Sequence, residues 1–83
     1  MTFERYMRQA EKVYNLIPNV RIGQAYSNVL SEVQPKLAAS LVYTSCDPFY
    51  QNDKLSTFLV VVSHFWGQEP TRQEVENYLK EIC

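Results

Sequence analysis

The sequence predicts an all-α fold, a compact bundle of about five short helices formed by residues 1–83 as one domain. Three observations carry this. Apolar residues recur at three- and four-residue spacing along most of the chain. Pro18, Pro35 and Gly67 punctuate those stretches where helices should start or stop. No two segments offer the matched runs that a sheet needs to satisfy its backbone.

The first helix is expected over Phe3 to Ile17, with Phe3, Tyr6, Met7, Ala10, Val13, Tyr14 and Ile17 on one face. Glu4 and Arg8 stand four apart in the favourable order outside it. Pro18 ends it, because proline restricts the residue before it and donates nothing to the ladder. Asn19 is the expected cap of a second helix carrying Ile22, Ala25, Tyr26, Val29, Leu30 and Val33 inward. Gly23 in its first turn costs up to about 1 kcal/mol relative to alanine, which close packing of another backbone would offset.

Pro35 suits the first position of a third helix reaching about Tyr43, with Leu37, Ala38, Leu41 and Val42 inward. Residues 44–53 read as the irregular segment, rich in turn formers but holding Phe49 and Tyr50. Asn52 or Asp53 can cap a fourth helix whose face is Leu55, Phe58, Leu59, Val62, Phe65 and Trp66. Thr57 to Val62 also has the composition of a buried strand, so both readings stand, the helix favoured by its periodicity. Gly67 fits a left-handed cap. Thr71-x-x-Glu74 is a capping box opening a fifth helix with Val75, Tyr78, Leu79 and Ile82 inward and a Glu76–Lys80 pair outside.

Hydrophobic residues make up 46% of the chain and aromatic ones 13%, enough for a modest core and too much for a disordered tail. Eight basic residues against nine acidic ones leave a net charge of −1, so no global field favours nucleic acid or an anionic membrane. The longest apolar run, Phe58 to Val62, is far too short to span a bilayer, and Met1 to Arg5 do not resemble a secretory leader. A cytoplasmic protein without membrane contact is expected. Cys46 and Cys83 lack metal-ligand spacing and are expected to be thiols.

Catalytic constellations are missing from the sequence. His64 has Ser63 beside it but no carboxylate at helical spacing, and no phosphate loop, zinc motif or nucleophile elbow is present. The chain is expected to be no enzyme and to hold no cofactor or metal. Two polar sets remain. Arg5, Arg8 and Lys12, joined by Gln9, form a basic stripe on the first helix that could follow a phosphate backbone, although Glu4 and Glu11 flank it. Arg21, Gln24 and Asn28 fall within about 60° on the second helix. Their donors and acceptors could grip Asp47 in the Asp47-Pro48-Phe49-Tyr50 turn, anchoring that loop. Alternatively they could line a partner-binding site with Phe49 and Tyr50 as anchors.

The Arg21-x-Gly23-Gln24 motif, Asn28, Leu37-Ala38, Asp47-Pro48-Phe49-Tyr50, Phe58-Leu59 and Trp66 form a pattern covering about half the chain. In this pattern the chain resembles a loose family of short, uncharacterised bacteriophage and bacterial proteins. The resemblance implies no catalytic or binding residue. It implies a small accessory protein, in the host cytoplasm if phage-encoded, that binds and redirects a host component. The leading expectation is therefore a non-enzymatic interaction protein with a protein partner, host or self, at Arg21, Gln24, Asn28, Asp47, Phe49 and Tyr50. The alternative is a small nucleic-acid-binding protein using Arg5, Arg8 and Lys12.

Overall fold

Five α-helices and a single 3₁₀ turn account for the regular structure among the described residues. The computed structural model describes residues 1–42, 44, 46, 48 and 52–82. The helices are α1 (Phe3–Leu16), α2 (Ile22–Val33), α3 (Pro35–Leu41), α4 (Leu55–His64) and α5 (Arg72–Ile82). They form a compact all-α bundle, as the periodicity predicts.

Thr2 starts α1, its hydroxyl accepting the Arg5 backbone N–H at 3.1 Å. Tyr6 and Ala10 are fully buried, with Phe3, Met7 and Val13 partly buried around them. Tyr14 and Ile17, expected inward, are 42% and 50% exposed. Tyr14 belongs to the last turn of α1, and Ile17 is the residue that follows the helix. Asn19 does not cap α2. It occupies the left-handed region at φ 66°, which asparagine tolerates better than most residues, and reverses the chain after Pro18.

The residue that precedes α2 is Arg21, and its backbone N–H donates to Gln24 Oε1 at 3.4 Å. Ala25, Tyr26, Val29 and Leu30 are buried, and α2 packs most extensively on α1. The Tyr6 hydroxyl donates to the Tyr26 carbonyl at 2.8 Å, so burial leaves it satisfied. With Phe3 and Trp66, the two tyrosines form an aromatic cluster, Trp66 lying 5.3 Å from Tyr6 and 5.6 Å from Phe3.

Pro35 opens α3 as predicted, and Leu37, Ala38 and Leu41 are buried. The helix stops at Leu41, short of the expected Tyr43, which itself lies outside the described residues. The cause is Thr44, whose backbone N–H and hydroxyl both donate to the Leu41 carbonyl, at 3.2 and 2.6 Å. Val42 thereby takes an extended conformation and is exposed, contrary to its expected inward position.

A 3₁₀ turn, Asn52–Lys54, leads into α4, and the cap position of that helix falls to Lys54, with no side-chain cap, and not to Asn52 or Asp53. The helix-or-strand ambiguity resolves to helix. Phe58, Val61, Val62 and Phe65 are all buried, the i, i+3, i+4, i+7 pattern of a helical face, and it includes Val61, which the predicted face omits. Gly67 follows at φ 79° with nothing within 4 Å of the place a Cβ would occupy. Its N–H donates to Gln34 Oε1 at 3.1 Å, tying the end of α4 to the α2–α3 junction.

Thr71 and Glu74 form the predicted capping box, each side chain accepting the other's backbone N–H at 3.1 Å. Val75 and Leu79 are buried, but Ile82 is 39% exposed at the last turn. The Glu4–Arg8 and Glu76–Lys80 pairs do not close. Between described side chains the ion pair is Lys36–Glu69 at 3.4 Å, exposed on both sides and worth well under about 1 kcal/mol. No described helix is long and apolar enough to cross a membrane.

Candidate functional site

The Arg21-x-Gly23-Gln24 motif sits where α2 begins, and its parts have distinct jobs. Gln24, three residues into the helix, is half-buried and turns its amide oxygen back to the Arg21 N–H. Gly23 is buried against Pro48: a Cβ there would run into the Pro48 carbonyl oxygen, and would stand 2.9 Å from its carbonyl carbon and 3.1 Å from its Cβ. The spacing thus combines a helix cap with a close backbone approach, the compensation that a first-turn glycine suggests. Arg21 and Asn28 are exposed. Asp47, Phe49 and Tyr50, the expected partners of this stripe, lie outside the described residues.

Cys46 is a fully buried thiol, its Sγ 3.2 Å from Thr44 Oγ1. Cys83 lies outside the described residues.

The structure brings Arg5, Arg8 and Lys12 together as the sequence predicts. With Thr2, Glu4 and Gln9 they line a shallow depression of about 450 Å³ on the outer side of α1, and all six residues are exposed. No ion pair or side-chain hydrogen bond engages the three cations among the described residues.

A third surface was not marked by the sequence motifs. Phe3 and Met7 of α1, Leu59, Val60, Ser63 and His64 of α4, and Tyr78 of α5 line an open groove of about 510 Å³. Val60 is 48% exposed there, while Phe3, Met7, Leu59 and Tyr78 are half-buried. The His64 imidazole stacks on the Tyr78 ring, centroids 3.9 Å apart and planes 10° apart, and meets Phe65 edge-on at 4.7 Å. His64 is therefore engaged through its ring face, and no group of three or more His, Cys, Asp or Glu able to hold a metal occurs among the described residues.

A sequence signal for this groove does exist. Five consecutive apolar residues, Phe58 to Val62, exceed what one helical face can bury, since at 100° per residue they encircle the axis. In α4 the surplus is Val60, on the side away from Phe58 and Val61. In the core beneath α1, tyrosine ionisation is suppressed. Burial, reinforced by Tyr26, pushes the Tyr6 hydroxyl well above the usual tyrosine range, and burial with the Glu11 carboxylate raises Tyr26.

No family model, no curated protein and no solved structure matches this chain.

Proposed function

We propose that the chain is a non-enzymatic interaction protein that binds a protein partner through the groove between α1, α4 and α5. The observation that carries this reading is Val60, an aliphatic side chain 48% exposed in the middle of α4, ringed by half-buried Phe3, Met7, Leu59 and Tyr78. Apolar surface grouped in a concavity gives a partner something to desolvate, and aromatic and methionine side chains are enriched at such contacts. The stacked His64–Tyr78 pair supplies a flat, rigid wall that loses little entropy when covered.

The resemblance to short phage and bacterial proteins supports the same class of activity, an accessory protein that redirects a host component in the host cytoplasm. The Arg21-x-Gly23-Gln24 motif is better supported as the device that starts α2 and receives the Pro48 backbone than as a binding site. Asn28 stays exposed further along the same helix.

The test is affinity capture from host lysate with the wild-type chain and with Val60→Glu and Leu59→Glu, read by mass spectrometry, alongside sedimentation to detect self-association. A protein, or a second copy, retained by the wild type and lost from both variants at unchanged thermal stability is the expected result. Identical capture by all three chains would remove the groove from consideration.

A further inference from the structure

The outward face of α1 points to a second ligand of different chemistry. At 100° per residue, Arg5, Arg8 and Lys12 centre roughly 150° from the buried Tyr6 and Ala10, and equally far from Phe3 and Met7 of the groove. The stripe runs about 10 Å along the helix axis at 1.5 Å per residue. Its three cations are exposed and unneutralised by described neighbours. Residues 1–21 hold Arg5, Arg8, Lys12 and Arg21 against Glu4 and Glu11 alone, so the acidic excess of the chain lies in the remainder. Local charge here has the opposite sign to the net charge.

We propose that this face binds the phosphodiester backbone of nucleic acid. The depression is lined by Thr2, Glu4, Arg5, Arg8, Gln9 and Lys12, with no aliphatic or aromatic side chain among them. A protein partner would find no apolar anchor there, whereas a phosphate backbone needs none. Arginine forks and a lysine along a line match a row of phosphate oxygens, and Gln9 is the single amide in reach of anything else. Contact is thus to backbone and not to sequence. Three cations place it in the weak, non-specific range, a dissociation constant of about 10⁻⁴ to 10⁻⁶ M at physiological salt. The inference stands apart from the groove, and one chain carries both surfaces at once.

The experiment is fluorescence anisotropy with a labelled 20-base-pair DNA duplex of arbitrary sequence, titrated with the full chain from 50 to 200 mM salt. Three contacts predict a slope near −2.7 in log affinity against log salt, an affinity loss of about 40-fold over that range. The triple variant Arg5→Gln, Arg8→Gln, Lys12→Gln abolishes binding with an unchanged melting curve, while Val60→Glu binds as wild type. Glu4→Gln, which removes the one anion in the depression, tightens binding about two- to fivefold and keeps the test decisive if the triple variant misfolds. No anisotropy change at 50 mM salt would overturn the proposal, as would binding insensitive to Glu4→Gln and to the triple variant. Equal affinity for polyglutamate of matched charge would overturn it in favour of an acidic protein partner.

Discussion

Gly23 and Pro48 are in backbone contact so close that the first has no room for a side chain: a Cβ would overlap the Pro48 carbonyl oxygen. This contact fixes where the Pro48 backbone sits against the start of α2. Gly23→Ala gains about 1 kcal/mol of helix propensity but must displace a carbonyl that belongs to the main chain. The net expectation is destabilisation of about 1–3 kcal/mol, because overpacking against backbone cannot relax through a rotamer. Urea denaturation of both chains checks it, and a stabilised variant would mean that Pro48 moves freely.

Gly67 offers the opposite case. Its φ of 79° demands the left-handed region, yet nothing lies within 4 Å of a prospective Cβ. Gly67→Ala should therefore lose about 1–2 kcal/mol for conformational reasons alone, and Gly67→Asn less. The ranking of the two substitutions in thermal melts separates backbone preference from steric exclusion.

Tyr6 links stability to alkaline pH. Its hydroxyl is buried and donates to the Tyr26 carbonyl, and its ionisation is pushed well above that of a free tyrosine, near 10. The unfolded chain therefore releases this proton first. The associated stability is complete below about pH 10 and is lost as pH rises above it toward the folded-state value. Tyr26, shifted in the same direction, adds to the effect. Denaturation midpoints should fall between pH 9 and pH 11, and Tyr6→Phe should flatten that fall while costing about 1 kcal/mol at neutral pH through the lost hydrogen bond.

The capping box at α5 gives a fourth expectation. Thr71→Ala removes the acceptor for the Glu74 N–H and should destabilise by about 1 kcal/mol, with Glu74→Ala somewhat milder. Amide hydrogen exchange should show the loss concentrated in the first turn of α5. Uniform loss across the bundle would indicate that α5 does not open independently.

Features with a local cause could be read from the sequence. The Thr71–Glu74 box, the left-handed Gly67, Pro35 at a helix start and the apolar spacing of α1 and α5 each depend on a few neighbouring residues. The helix at Leu55–His64 is legible too, from its periodicity, although its composition also suits a strand; Phe58, Val61, Val62 and Phe65 are buried on one helical side. Features set by distant partners were less legible. Whether Tyr14, Ile17, Val42 and Ile82 face inward depends on where the covering helix ends, and all four stay exposed. Asn19 looked like a cap because asparagine serves both caps and left-handed turns, and only the chain reversal before α2 chooses between them.

Of the polar sets, the α1 stripe was fully legible, since a single helix places Arg5, Arg8 and Lys12. The Arg21-x-Gly23-Gln24 motif was legible as a cluster but not as a division of labour between cap and contact. The groove at Val60 needed three helices, α1, α4 and α5, to come together before it existed at all.

The aromatic cluster beneath α1 has a practical corollary. Trp66 is the single tryptophan of the chain, its indole N–H donating to the Met1 carbonyl at 3.1 Å while its ring lies against Phe3 and Tyr6. Its emission is consequently a built-in optical gauge of whether the beginning of α1 is seated on the bundle. Detachment of that helix would shift the spectrum toward that of solvated indole before the remaining helices respond, and no label is required to see it.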